Sequence, residues 1–134
     1  MQNLKNILLF SVCLTLLTGC KTTSTAPVIS PVNQNIIGSW EGCDGRVITF
    51  TEEENGEITG RYTKLGELDK YKFTLNEVGY RLTQQSPGNY TGTVKWQDIS
   101  GNETWKEVEV IIENDIYRDN SSDSCSQEIK RIKS

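Results

Sequence analysis

From Ile36 onward the chain alternates apolar and polar positions in short runs of period two, the spacing of a strand with one buried face. Tyr71, Phe73 and Leu75 alternate with Lys70, Lys72 and Thr74. Val78, Tyr80 and Leu82 alternate with Gly79, Arg81 and Thr83. Tyr90, Gly92, Val94 and Trp96 alternate with Thr91, Thr93, Lys95 and Gln97. Val108, Val110 and Ile112 alternate with Glu107, Glu109 and Ile111. Helical periodicity is nearly absent. Turn residues separate the runs: Asn55-Gly56, Pro87-Gly88-Asn89, Ser100-Gly101-Asn102, Asn114-Asp115 and a polar loop at 119–124. The pattern predicts strands at 37–43, 46–53, 57–64, 70–76, 78–86, 90–98, 103–113, 116–118 and 126–132.

A meander of this kind has two exposed edges, and closure removes both. The expected fold is therefore all-β: a small antiparallel up-and-down barrel of about eight strands, in one domain over residues 36–134. A β-sandwich of two sheets is the alternative.

Residues 1–35 have a different character. Lys5 precedes an apolar run from Ile7 to Leu17, which leads into Leu17-Thr18-Gly19-Cys20. Charged start, apolar middle and small-residue site form the order of an export signal. The run is too short to span a bilayer, which needs about 20 apolar residues, and Ser11 and Thr15 interrupt it. Leu17-Thr18-Gly19-Cys20 resembles the lipobox of bacterial lipoproteins. The resemblance implies a signal peptide at 1–19, cleavage before Cys20, and acylation of Cys20 with palmitate-type chains. Two or more such chains anchor a protein stably to a membrane. Lys21 follows the cysteine where Asp would retain such a protein at the inner membrane. The resemblance thus implies an outer-membrane anchor facing the periplasm. Residues 21–35 are rich in Thr, Ser, Pro and Asn and lack periodicity, as expected of a flexible tether.

Of the four cysteines, Cys13 leaves with the leader and Cys20 carries lipid. Cys43 and Cys125 remain, in an oxidising compartment, and are expected to pair. The loop closed is about 80 residues, worth roughly 4–5 kcal/mol in the chain-entropy model.

Gly38-Ser39-Trp40, at the start of the first strand, is similar to the Gly-x-Trp motif of lipocalins and their barrel relatives. The resemblance implies that Trp40 plugs the closed end of the barrel. It also implies that Arg131, on the final strand, packs across the indole as a barrel-closing pair.

Charge and chemistry narrow the function classes. Loss of the leader removes one basic side chain, Lys5, from 14 basic and 18 acidic, leaving a net charge of −5. That balance argues against nucleic acid, which needs a basic face. The chain has no histidine, which removes His-dependent triads, His metal sites and the commonest general acid/base. No Gly-rich loop precedes a helix. Asp115, Asp119 and Asp123 lack EF-hand spacing and read as a solubilising stretch. No catalytic residue, metal or cofactor is expected.

For contacts, the candidates are Tyr62, Tyr71, Phe73, Tyr80, Tyr90 and Trp96. In a narrow barrel they fill the interior, and in one open at an end they line a pocket. Trp105 is out of phase with Val108 and Val110. It is either exposed for a partner contact or returned to the core by a bulge.

These features support a lipid-anchored, non-enzymatic envelope protein that binds a macromolecular partner, an inhibitor or immunity protein being one version. A lipocalin-like carrier of a small apolar ligand and a carboxylate-based hydrolase are the alternatives. The anchor is directly testable. Radiolabelled palmitate is expected to mark the wild-type protein and to leave a Cys20→Ser variant unlabelled and released from the membrane fraction.

Overall fold

The computed structural model describes residues 33–133. Cys20, the expected leader and most of the expected tether lie outside the described residues. Eight strands follow in order: β1 (Gly38–Glu41), β2 (Val47–Glu52), β3 (Ile58–Lys64), β4 (Val78–Ser86), β5 (Asn89–Gln97), β6 (Glu103–Glu113), β7 (Ile116–Asp119) and β8 (Ile129–Arg131). Each pairs antiparallel with the next, and β8 returns to β1. The sheet closes into one barrel, not into the two sheets of a sandwich, and it is consistent with a lipocalin-like barrel.

The turns follow from their residues. Asn114 and Asp115 both adopt left-handed φ, 53° and 61°, between β6 and β7. Tight hairpins of twisted strands need that conformation, and Asn and Asp tolerate it. Between β4 and β5, Gly88 takes φ +77°, where a side chain would be strained.

One strand expected from alternation does not form. Residues 70–76 instead continue from a 3-10 turn at Leu68–Tyr71 into an irregular loop. Lys72 and Asn76 both have left-handed φ, 67° and 62°, which no strand accommodates. Phe73 turns into the core, while Leu75, two residues on, is 60% exposed. At the other end of the chain, a 3-10 turn at Cys125–Gln127 takes the first residues of the strand expected at 126–132. Asp119, assigned above to the polar loop, is the last residue of β7 and is buried.

An aromatic column fills the barrel along its axis. Trp40 meets Tyr117 at 5.8 Å between ring centroids, Tyr117 meets Phe50 at 5.9 Å, and Phe50 meets Tyr80 at 5.6 Å. Tyr80 meets Tyr62 at 6.4 Å, and Tyr62 meets Phe73 at 5.2 Å. Most of these contacts are edge-to-face, the arrangement favoured by ring quadrupoles. Two glycines make room for the rings. A Cβ on Gly79 would lie 2.3 Å from the Tyr62 ring, and one on Gly60 would lie 2.5 Å from the Phe50 ring.

The even strand count brings the start of β1 and the end of β8 to one end. There the Trp40 indole donates to the Ile36 carbonyl at 2.7 Å. The Tyr90 hydroxyl accepts from the Ile36 N–H and donates to the Gln34 carbonyl. The Arg131 guanidinium lies 4.1 Å from the Trp40 ring centroid, pairs with Asp115 at 2.9 Å, and donates to the Ile37 and Asn35 carbonyls. This end is closed. The seam between β1 and β8 consists of only two residue pairs, Trp40 with Arg131 and Glu41 with Lys130. At the opposite end, a Cys43–Cys125 disulfide joins the β1–β2 connection to the β7–β8 connection, with Cα atoms 5.2 Å apart.

A Cys43→Ser/Cys125→Ser double variant tests the contribution of this clamp. It is expected to lose about 4 kcal/mol, a fall in Tm of about 20 °C by circular dichroism, without change of the native β spectrum.

Candidate functional site: the cleft at the open end

The connections β1–β2, β3–β4, β5–β6 and β7–β8 all gather at the disulfide end. The β1–β2, β3–β4 and β7–β8 connections, with the end of β5, surround a cleft of about 460 Å³. Its aromatic side is formed by Tyr62, Tyr71, Phe73, Tyr80 and Trp96. Its polar side is formed by Arg46, Lys95, Gln97 and serines 121, 122, 124 and 126, beside Cys125.

The aromatic candidates thus divide. Tyr62, Phe73 and Tyr80 are buried and form the cleft floor, while Tyr71 is half-buried on its wall. Trp96 is 36% exposed at the rim, with the Lys106 ammonium 4.0 Å from its ring centroid. It keeps the inward phase of Tyr90 and Val94, but β5 and β6 run beyond the start of β4, so no full wall encloses it. Tyr90 is not in the cleft. It sits at the closed end, where its hydroxyl ties down residues 34–36.

Trp105 lies on the outer wall, half-buried, and no bulge interrupts the β5–β6 register. Arg81 and Lys95 approach its ring at 5.4 and 5.3 Å, and its indole N–H donates to Glu103 at 2.8 Å. Such cation–ring contacts hold an otherwise exposed indole in place.

Each cation lining the cleft has a carboxylate, whereas Lys106 at the rim lies over the Trp96 ring with no ion pair among the described residues. Arg46 pairs with Asp44 at 2.9 Å, Lys70 with Glu67 at 2.8 Å, and Lys95 with both Glu77 and Glu103 at 2.8 Å. Burial pushes the Glu77 carboxyl upward. The Lys95 ammonium and the Thr74 N–H and hydroxyl together outweigh that and hold it below the ordinary range. The carboxylates lining the cleft, Asp44 and Glu67, are both engaged in these pairs. Gln97 donates to Glu77 at 3.1 Å, and its Oε1 is buried with no hydrogen-bond partner among the described residues. A buried acceptor of this kind costs about 1–3 kcal/mol.

Beneath the floor lies a polar cluster that the sequence reading missed. Asp119 accepts from the hydroxyls of Tyr80 and Tyr117 on one oxygen, and from the Ser121 hydroxyl and N–H on the other. Ser121 in turn contacts Ser126. A buried carboxylate without a cation is held by such donors. The signal was present in the chain: Ile116-Tyr117-Arg118-Asp119 alternates, and Asp119 shares the inward phase of Tyr117. Arg46 was also missed, because nothing in the turn Asp44-Gly45-Arg46 marks it as facing the mouth. Among the described residues no group of three His, Cys, Asp or Glu side chains converges as a metal site.

Family models, curated proteins and solved structures yield no match to this chain.

The phenols under the cleft give a pH test. Burial, and then the Asp119 charge, push Tyr80 well above its usual value of about 10; burial and neighbouring Tyr80 do the same for Tyr117, and burial raises Tyr62. A folded-state value raised above the unfolded one means that the stabilisation is complete below about pH 10 and is lost as pH rises further. Spectrophotometric titration is expected to show these phenols ionising only together with alkaline unfolding, after the exposed fraction has titrated.

Proposed function

We propose that this chain is a lipid-anchored envelope protein that binds a macromolecular partner through the open end of its barrel, without catalysis. One observation carries the reading: the interior is filled by rings from Trp40 to Phe73, and the recess that remains opens at the end opposite the N-terminal segment. A chain anchored at Cys20 would join the barrel at its closed end, through Asn33, and leave the open end free of the attachment. Large apolar side chains decorate the connections at the same end: Leu75 is 60% and Ile99 is 73% exposed, beside Trp96. Exposed apolar groups around a recess are typical of a protein-binding rim. The non-enzymatic reading is supported by the pairing of each cleft carboxylate with a neighbouring cation. An inhibitor or immunity protein remains one concrete version, with the partner's side chain seated in the cleft.

The second reading is a carrier of a small apolar ligand. Its support is the cleft volume, which falls within the range of about 300–1,000 Å³ common for small-molecule sites. The ring column leaves such a ligand only the mouth.

Photo-crosslinking in intact envelopes tests the partner reading. A crosslinking residue at Ile99 or Trp96 is expected to give a discrete protein adduct, and one at Glu54, on the closed-end hairpin, is expected to give none. Equal labelling at both ends, or none at either, would remove the open end as the binding surface. A reproducible lipid adduct at Trp96 would favour the carrier.

A further inference from the structure

The barrel wall is incomplete beside the cleft. Strand β6 runs from Glu103 to Glu113 and pairs with β5 from Ile111 down to Glu103. Strand β7 covers its other side only from Val110 to Glu113. One further contact pair follows, between Glu109 and Asn120. Because Glu109 directs its N–H and carbonyl toward β7, strand geometry points those of Glu107 and Trp105 the same way. Among the described residues these groups have no hydrogen-bond partner. The edge carries no proline and has no bulge in its register with β5.

We propose that this free edge of β6, residues 103–108, receives an extended segment of a partner polypeptide as an added strand, with apolar residues alternating with basic ones. Strand addition draws affinity from main-chain hydrogen bonds and specificity from alternate side chains. By the pleat, every second side chain of the added strand lies beside Thr104, Lys106 and Val108, on the cleft face that Val94 and Trp96 share, where apolar side chains would pack on the Lys106 stem and the Trp96 ring. The remaining side chains lie outward, opposite Glu103, Trp105 and Glu107. Glu107 is exposed and forms no ion pair among the described residues, whereas Glu103 is paired with Lys95 and Glu109, beyond this edge, faces Asn120. Opposite charges directly across a strand pair are favourable, and like charges are not. Glu103 and Glu107 oppose the antiparallel pairing of two β6 edges centred on Trp105, which would set each of them against the other in the second copy. Charge thus selects a basic strand over a second copy of this chain. The proposal locates its partner beside the cleft proposed above, but its claim concerns the backbone of β6.

The probe is a short capped peptide alternating lysine with valine, added to the disulfide-bonded protein. Amide hydrogen exchange should show protection at Trp105 and Glu107. A glutamate–valine peptide should bind at least about tenfold more weakly. Of two lysine–valine peptides, N-methylated on the valines or on the lysines, one should lose binding by a similar factor, because alternate N–H groups face opposite edges. A Glu107→Lys variant, a surface change that leaves the core untouched, should reverse the preference between the lysine and glutamate peptides. Full binding by both N-methylated peptides, or no protection at Trp105 and Glu107 at saturating peptide, would overturn the proposal. If Trp96 fluorescence still responds in that case, the cleft reading survives alone. A dimer in the absence of peptide, with these same amides protected, would assign the edge to a second copy and likewise overturn it.

Discussion

The barrel depends on a seam of two residue pairs between β1 and β8. A closed sheet needs every neighbour, yet these two strands are only four and three residues long. Two other interactions hold the seam. Arg131 stacks on Trp40 and binds carbonyls of the entering chain, a desolvated cation–ring contact worth about 2 kcal/mol. The disulfide fixes the connections beyond the other end of the same two strands. One clamp acts in the native packing and the other chiefly by limiting the unfolded chain, so they stabilise the seam by independent routes.

The two ends of the barrel differ because of what these clamps leave over. Trp40, Ile36 and Tyr90 seal the end where β1 starts and β8 finishes. The disulfide end is spanned by longer connections that carry Arg46, the 3-10 turns and the serine cluster. Those connections need polar partners, and the Asp119 carboxylate supplies them from below by collecting two phenols and a serine. Cleft, rim and free edge of β6 are thus consequences of one asymmetry: β7 is four residues long where β6 is eleven.

How much of this was legible depends on the range of the interaction concerned. The alternation of Tyr80, Leu82, Tyr90, Val94, Val108 and Val110 correctly separated inside from outside, because the pleat sets side-chain direction locally. The same rule failed at Tyr71, Phe73 and Leu75. Their spacing mimics a strand, but left-handed Lys72 and Asn76 break it, and one buried phenylalanine satisfies the core. Trp105 lies outside because no bulge shifts its phase against Val108, which the sequence left open, and the cations that hold it come from two other strands.

By itself, the sequence determined the all-β class, most strand limits and the meander of short antiparallel strands, and it pointed to closure over a sandwich and to the pairing of Cys43 with Cys125. Each follows from short-range periodicity, turn chemistry or simple cysteine counting. Only the tertiary structure decided that the interior is packed with rings, that Asp119 lies beneath the floor of a cleft, and that part of β6 lacks a neighbour. Those features arise from residues tens of positions apart meeting in a closed sheet, and no local pattern encodes how far one strand outruns the next.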